Sequence, residues 1–209
     1  MSGIFVTFEG IEGCGKSTQL NMLANWLRAS GKDVIVTREP GGTELGEKIR
    51  NLLLDGNKGD VFSIRTEILL FEASRAQHVD EKISPAIKSG KIVLCDRFSD
   101  STVVYQGVAR AVDPHTVQFL NEFALCGCIP DMTIFPNISV AESFRRIALE
   151  DGSRDRIEQE DESFFEKIRN GYLGLAKGNA RFFMVDGTDN EEIIHGKIRN
   201  EFAERFFKN

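Results

Sequence analysis

The sequence predicts an α/β fold of three layers, in which a five-stranded parallel sheet is flanked by helices. Five short runs of mostly β-branched and aromatic residues recur along the 209 residues. Each run has the length and apolar character of a parallel strand that is covered on both faces. Helical patterns separate the runs, and this alternation implies right-handed crossovers and a parallel sheet. Because no repeat or linker-like stretch divides the chain, we expect one domain over residues 1–209.

The predicted strands are residues 4–8, 33–37, 92–95, 132–135 and 182–185. The helix after the first strand has apolar residues at positions i, i+3, i+4 and i+7, namely Leu20, Leu23, Ala24 and Leu27. Gly31 follows as a stop signal. Asp113 and Ser139 are predicted to cap two later helices, and Asp189 and Asn190 precede the acids Glu191 and Glu192 at the predicted start of a third.

Composition and charge exclude several classes of protein. Hydrophobic residues make up 41% and charged residues 28%, as in ordinary globular proteins. The net charge of −6 leaves no overall basic surface for a nucleic-acid polymer or an anionic membrane. The longest stretch without a charged residue, 17–27, is too short to span a bilayer, and no secretory signal is visible. Only four cysteines occur, at 14, 95, 126 and 128, which suggests the reducing cytoplasm.

A phosphate-binding loop follows the first predicted strand. Residues 10–17 match the pattern G-x-x-x-x-G-K-[ST] and lead into a predicted helix, the arrangement of a P-loop NTPase. Backbone N–H groups of such a loop surround phosphate oxygens, Lys16 reaches the β- and γ-phosphates, and the Ser17 hydroxyl coordinates Mg²⁺. The predicted ATP-binding residues are Gly10, Ile11, Glu12, Gly13, Cys14, Gly15, Lys16, Ser17 and Thr18.

Three classes of protein use this loop: kinases of small molecules, GTPase switches and ATPase modules that drive a partner. Residues 57–60 match the guanine-reading pattern N-K-x-D, but they lie in a Gly- and Asp-rich turn and not after a strand. The D-x-x-G motif of GTPase switches is absent from the chain. An ATPase motor would need more residues for its coupling parts. The pattern therefore favours a small-molecule kinase.

Charged side chains follow the second and third predicted strands, at the edge where ligands of open α/β sheets bind. Residues 38–43 read R-E-P-G-G-T, and Arg50 lies seven residues further on, on a short predicted helix. Asp96 and Arg97 follow the third strand. Asp96 is expected to support Mg²⁺, although a helix N-cap is the alternative interpretation.

Phe71 and Arg75 are spaced i, i+4, so both project from one face of a helix. An aromatic ring with a guanidinium one turn away could stack on a base and donate to its carbonyl oxygen. Taken alone, such a pair is more often a core Phe beside a surface Arg.

An acidic stretch, residues 150–162, interrupts two helical patterns. It carries seven acids and two bases, Arg154 and Arg156. One interpretation is a solvated surface excursion. The other is a short lid that brings arginines to a transferred phosphoryl group.

The combined motifs resemble the thymidylate kinase family, with the bacterial branch the most similar. They are residues 8–18, 38–43, 71–78, 96–98, 105–107 and 155–158, which occur in the order and spacing of that family. The resemblance runs from Ile4 to the last helix and implies ATP and dTMP as substrates. It also implies transfer of the γ-phosphoryl group to dTMP, giving dTDP and ADP for dTTP synthesis, with Mg²⁺ as cofactor and a homodimer as assembly.

The resemblance also implies a role for each substrate residue. Around the sugar and phosphate, Glu12 faces the 3′-OH, Arg50 and Arg97 hold the phosphate of dTMP, and Tyr105 disfavours a 2′-OH. Around the base, Phe71 stacks, Arg75 bonds O4, and Thr102 and Gln106 contact the remaining polar edge. Glu39 and Asp96 organise Mg²⁺ and the arginines. Lys16, Arg97 and one of the lid arginines, Arg154 or Arg156, neutralise the charge of the transferred group. A kinase of another nucleoside monophosphate or small metabolite is the rival interpretation.

Overall fold

A five-stranded parallel sheet forms the centre of the molecule, in the strand order β2-β3-β1-β4-β5. The structure is a computed structural model that describes residues 3–54, 62–149, 157 and 160–207. The strands are β1 Ile4–Phe8, β2 Val34–Arg38, β3 Ile92–Asp96, β4 Met132–Asn137 and β5 Phe182–Asp186. The predicted α/β class, the parallel sheet and the five strands are confirmed.

The strand boundaries differ from the prediction by one or two residues, mostly at the carboxyl ends. Asp96, the last residue of β3, pairs with Arg38 of β2 on one side and with Phe8 of β1 on the other. The hydrogen-bonded ladders therefore continue to the last residues of β2 and β3. Polar residues thus complete strands whose apolar pattern stops earlier. A hydrophobic pattern cannot locate such ends, because backbone hydrogen bonds determine them.

Nine α-helices and two π-helical segments surround the sheet in the described ranges. The α-helices are α1 Lys16–Ala29, α2 Glu44–Leu54, α3 Ile64–His78, α4 Ser84–Lys88, α5 Ser99–Thr102, α6 Pro114–Leu125, α7 Val140–Ile147, α8 Glu162–Ala176 and α9 Glu191–Phe206. The π-helical segments are Val79–Ile83 and Val103–Ala109. None of the described helices has both the length and the apolar character needed to cross a bilayer.

The predicted helix ends are present. Gly31 has a φ of 76° just beyond α1, a left-handed conformation that glycine adopts without a Cβ penalty. The side chains of Asp113, Ser139 and Asn190 each accept a backbone N–H in the first turn of the helix that follows. Local capping chemistry therefore starts α6, α7 and α9.

Alternate residues of the strands face two separate helical layers. Val6 and Phe8 of β1 pack with α1 and α9, in a core that includes Leu23 and Phe202. Phe5 faces the opposite layer, in a cluster with residues of β3 and α4. Because both faces of the sheet are buried, ligands can reach it only at the edge where the strands end.

Candidate active site

Two adjoining cavities open at the carboxyl ends of β1, β2 and β3. The larger follows the phosphate loop and encloses about 1560 Å³, including its open mouth. The smaller measures about 550 Å³, also including its open mouth, and is lined by both aliphatic and charged side chains. Both cavities are lined by Glu12, Glu39, Arg50 and Arg97. Two ligands would therefore meet at these four charged residues.

Glycines shape the phosphate loop between β1 and α1. Gly15 is the N-cap of α1 with a φ of 90°, and Gly13 has a φ of 68°. A Cβ at Gly13 would lie 3.2 Å from the carbonyl oxygen of Ser143. The loop is thus turned by left-handed glycines and packs closely on α7. Its residues 12–18 line the larger cavity, whereas the Ile11 side chain lies in the core.

Lys16 lies in the first turn of α1 and is almost fully buried. Its Nζ donates to the carbonyl oxygens of Ile11 at 2.9 Å and of Gly10 at 3.2 Å. The ammonium therefore spans the mouth of the loop, where the positive end of the helix dipole also attracts anions. This geometry fits a role in phosphate binding.

Ser17 and Asp96 form an oxygen pair beside the loop. The Ser17 hydroxyl donates to Asp96 Oδ2 at 2.6 Å, and both residues line the larger cavity. Asp96 is the last residue of β3, while Phe98 occupies the N-cap position of α5, so the helix-cap interpretation of Asp96 is wrong. A hydroxyl and a carboxylate are the hard oxygen donors that Mg²⁺ uses alongside substrate phosphates. The pair therefore fits the ion that the fold implies.

The far wall of the larger cavity includes residues that sequence patterns did not identify. Arg146 of α7 donates from Nη1 to the Gly13 carbonyl at 3.1 Å and from Nη2 to the Gly187 carbonyl at 2.8 Å. Gly187 directly follows β5. The rule that ligands bind beyond the carboxyl ends of strands could have indicated Gly187, but no local pattern distinguishes Arg146.

Arg97 connects the two cavities. It directly follows β3 with a φ of 66°, a left-handed conformation that is strained for a residue with a side chain. Its Nη2 contacts Glu12 Oε1 at 2.5 Å, and its Nη1 donates to the Gly10 carbonyl at 3.1 Å. A guanidinium is thereby held beside the phosphate loop, where a second anion would lie.

Glu12 and Tyr105 form a contact at the boundary between the cavities. The Tyr105 hydroxyl donates to both carboxylate oxygens of Glu12, at 3.0 and 3.1 Å. Burial raises the pKa of Tyr105 well above its usual value, so the hydroxyl keeps its proton. The pair presents a fixed polar surface between the phosphate loop and the smaller cavity.

Glu9 lies beneath Arg97 and also escaped sequence prediction. Its fully buried carboxylate accepts the Phe98 N–H at 2.7 Å, the Ser101 hydroxyl at 2.7 Å and the Tyr172 hydroxyl at 2.8 Å. Burial, with Asp100 nearby, raises the pKa of Glu9 from 4.5 to about 7. An acid directly after a buried strand is the signal that could have indicated it.

Arg75 forms the floor of the smaller cavity. Only 2% of its surface is exposed, so the interpretation of a surface Arg is wrong. Nε donates to Glu39 at 2.8 Å, Nη1 to Glu72, Thr102 and Asn121 within 3.0 Å, and Nη2 to the Phe98 carbonyl at 3.1 Å. Burial alone would lower its pKa, but Glu39 and Glu72 outweigh burial and the pKa is raised.

The nine predicted substrate-binding residues all line the smaller cavity. They are Glu12, Glu39, Arg50, Phe71, Arg75, Arg97, Thr102, Tyr105 and Gln106. Tyr105 and Gln106 come from the π-helical segment Val103–Ala109, and such segments are frequent at functional sites. Phe71, partly buried on α3, completes an aromatic wall.

Glu39 and Arg50 approach the cavities from the β2 side. Glu39 is buried and, besides Arg75, binds His78, whose Nδ1 lies 3.0 Å from its Oε1. Arg50 of α2 donates to the Pro40 carbonyl at 3.0 Å. Glu39 thus orients Arg75, and Arg50 lines both cavities, as Arg97 does.

Both predicted lid arginines, Arg154 and Arg156, lie outside the described residues, as do residues 57–60. Within the predicted lid, Ile157 lines the smaller cavity. Asp161 accepts the Phe164 N–H at 2.9 Å as the N-cap of α8, and Glu162 is the first residue of that helix. The carboxyl end of the acidic stretch is therefore a helix start.

Comparison with known proteins identifies the family. A family model described as thymidylate kinase matches residues 8–198. The chain is 48% identical over 199 residues to the thymidylate kinase of Fervidobacterium nodosum, covering 95% of this chain and 98% of that protein. It is 48% identical over 197 residues to that of Thermosipho africanus, covering 94% and 96%.

A solved structure agrees with these sequence relatives. The crystal structure of thymidylate kinase from Ehrlichia chaffeensis superposes with a TM-score of 0.79 at 32% identity, covering 97% of this chain and all of that one. The chain therefore belongs to the thymidylate kinase family.

Proposed function

We propose that this protein transfers the γ-phosphoryl group of ATP to dTMP and releases dTDP and ADP, a step of dTTP biosynthesis. The observation that supports it is the junction of the two cavities at Glu12, Glu39, Arg50 and Arg97. One cavity has the chemistry of a triphosphate site, and the other has the lining of a nucleoside site, with an aromatic ring beside polar side chains. Phosphoryl transfer needs such a junction, because catalysis consists mainly of positioning and charge neutralisation.

The triphosphate binds along the phosphate loop. N–H groups of residues 13–18 surround its phosphates, and Lys16 exchanges its contacts with the Gly10 and Ile11 carbonyls for phosphate oxygens. Ser17 and Asp96, which are hydrogen-bonded to each other, would hold Mg²⁺. The ion supplies neutralisation of phosphate charge when bound. Arg146 and Gly187 form the far wall, on the side of the nucleoside of ATP.

The monophosphate binds at the junction. Arg50 and Arg97, which line both cavities, hold its phosphate and bring the acceptor oxygen in line with the γ-phosphoryl group. Glu12 receives the 3′-OH of the sugar, and Tyr105 occupies the space that a 2′-OH would need. Because both substrates are anions, these arginines offset the repulsion between them.

The base enters the smaller cavity. Phe71 stacks on thymine, Arg75 donates to O4, and Thr102 and Gln106 contact the remaining polar edge. Arg154 or Arg156 approaches the transferred phosphoryl group from the lid, at about residues 150–162, and excludes water on closure. One domain over residues 1–209 carries the whole reaction.

A substrate panel tests this proposal. ADP release by the purified protein with ATP and Mg²⁺ is measured for dTMP, dUMP, dGMP, dCMP and AMP, with Lys16→Ala as the inactive control. We expect the highest kcat/KM for dTMP and little ADP without a monophosphate. A purine preference would contradict the base site and favour another nucleoside monophosphate kinase. Turnover independent of every monophosphate would indicate an ATPase module.

We also propose a cytoplasmic homodimer. The aromatic side chains of Phe119 and Phe123, one turn apart on α6, are 67% and 78% exposed, and Leu69 on the neighbouring α3 is 55% exposed. Apolar side chains of this size in one region are typical of a protein interface. All four cysteines are free thiols, which suits a reducing compartment.

A further inference from the structure

Glu67 is a buried acid that the proposed mechanism does not use. It lies in the first turn of α3 with 3% of its surface exposed. Its Oε1 accepts a hydrogen bond from Gln106 Nε2 at 2.9 Å and another from Arg110 Nε at 3.0 Å. One oxygen atom therefore joins a wall residue of the smaller cavity to a guanidinium.

This contact fixes the orientation of the Gln106 amide. An ionised carboxylate can only accept hydrogen bonds, so the NH₂ end of the amide must face Glu67. The carbonyl oxygen is left for the cavity that Gln106 lines. No donor to that oxygen is found among the described residues, so a ligand can use it as an acceptor.

Arg75 presents the opposite chemistry on the floor of the same cavity. Its guanidinium has only donors. Nη2 donates one of its two hydrogens to the Phe98 carbonyl at 3.1 Å, which leaves the other for a ligand. The cavity thus offers a donor from Arg75 and an acceptor from Gln106. A base with a carbonyl beside a ring N–H, such as the O4 and N3–H of thymine, matches both. Cytosine presents an amino group beside an unprotonated N3, which mismatches both.

We propose that Glu67 is a specificity-determining residue of this enzyme, which selects 4-keto pyrimidines against 4-amino pyrimidines by holding the Gln106 carbonyl toward the base. This inference rests on the proposed function, because it concerns the base of the monophosphate. Glu67 is a positioning residue, since it acts through Gln106.

Arg110 is anchored beside Glu67. Its Nη2 binds Glu160 at 2.8 Å, and its guanidinium carbon lies 4.9 Å from the centre of the Phe164 ring. Because Arg110 Nε and Gln106 Nε2 share Oε1, Arg110 would orient an amide placed at position 67.

The test compares Glu67→Leu with two matched variants. Glu67→Leu removes the acceptor, so either end of the Gln106 amide can face the base. We expect the ratio of kcat/KM for dTMP to that for dCMP to fall about ten- to a hundredfold, the range for one buried hydrogen bond. The KM for ATP should stay within about twofold. Competition binding replaces turnover if dCMP reacts too slowly.

The matched variants distinguish loss of the Gln106 amide orientation from a general disturbance of the cluster around Glu67. Glu67→Gln keeps an oxygen that Arg110 orients toward Gln106, and Arg110→Met removes charge from the same cluster without touching Gln106. Both should keep the dTMP to dCMP ratio within about threefold. If Glu67→Leu does not fold, the double variant Glu67→Gln/Arg110→Met replaces it, because the amide at position 67 can then rotate, and its ratio should fall.

Two outcomes would overturn the inference. One is an unchanged ratio in Glu67→Leu, or in the double variant that replaces it, while the wild type phosphorylates dTMP. The other is an equal fall of the ratio in Arg110→Met, which would show that disturbance of the cluster alone alters selectivity. Failure of the proposed function is a different result, namely a wild-type protein that does not prefer dTMP in the substrate panel.

Discussion

Arg75 shows how single residues set the chemistry of this site. Its guanidinium is buried with two carboxylates, Glu39 and Glu72, and with three neutral acceptors. Burying a charge is costly unless charged partners and hydrogen bonds compensate for it. The compensation here comes from four segments of the chain, so the guanidinium has one fixed orientation. A lysine could not reproduce these contacts, because its ammonium lacks the planar fork.

Phe71 is the residue that separates binding of the base from binding of ATP. Stacking of an aromatic ring on a base is worth about 1–3 kcal/mol. We expect Phe71→Ala to weaken dTMP binding roughly five- to 150-fold while the affinity for ATP changes less than twofold. Calorimetric titration with each nucleotide measures both values. Equal losses for the two nucleotides would show instead that Phe71 serves the core.

Glu9 should impose a pH dependence on stability. Its pKa is raised from 4.5 to about 7 in the fold, so between these values the folded protein binds more protons than the unfolded chain. The free energy of unfolding should therefore fall as pH rises from about 4.5 to 7, and its Glu9 contribution should level off above that. Each pKa unit corresponds to about 1.4 kcal/mol.

Denaturant unfolding of the wild type and of Glu9→Gln at pH 5 and pH 7.5 isolates this effect. The amide cannot ionise, yet its oxygen can still accept the Phe98 N–H. We expect the wild type to lose more stability than the variant between the two pH values. Parallel pH dependences would contradict the raised pKa.

At the scale of elements, local patterns predicted most of the fold. The five strands, α1 with its stop at Gly31, and the cap residue Asp113 are each specified by neighbours in sequence. The phosphate loop was predictable for the same reason, since one short segment contains it.

The rest of the site depends on contacts between elements. The burial of Arg75 requires Asn121 of α6 and the loop after β3, and Arg146 reaches the loop that contains Gly13 from α7. Residue spacing within one helix does not indicate contacts between different elements. Sequence patterns therefore did not predict Glu9, Glu67 and Arg146. The resemblance to a family supplied the substrate residues that patterns left open.

The next prediction concerns the two arginines of residues 150–162, Arg154 and Arg156, and their role in catalysis. An arginine that neutralises a transferred phosphoryl group is worth about 10³–10⁵ in turnover in related systems. We expect one of the two variants, Arg154→Ala or Arg156→Ala, to reduce kcat by at least about a hundredfold, and the other to reduce it less. The affinity for dTMP should change little in both. Steady-state kinetics and dTMP titrations of the two variants provide the comparison, each serving as the control for the other. Unchanged kcat in both variants would disprove a catalytic lid.

At the scale of the whole molecule, the negative charge is unevenly distributed. Residues 150–162 account for five of the six net negative charges of the chain. The remainder is nearly neutral. Five cationic side chains line the larger cavity, namely Lys16, Arg38, Arg50, Arg97 and Arg146. An acidic protein can thus bind two anions together, because local charge outweighs net charge at close range.

The exposed aromatic side chains of α6 lead us to predict that the protein forms a homodimer through this helix. Phe119→Glu/Phe123→Glu places two charges where a second copy would bury two aromatic rings. Because burial of an unpaired charge is strongly unfavourable, we expect this variant to be a monomer and the wild type a dimer in light scattering at micromolar concentration. Ile193→Glu on α9, 53% exposed in the other helical layer, is the control and should stay dimeric. A monomeric wild type would exclude the dimer. Loss of the dimer only in Ile193→Glu would place the interface on α9 instead.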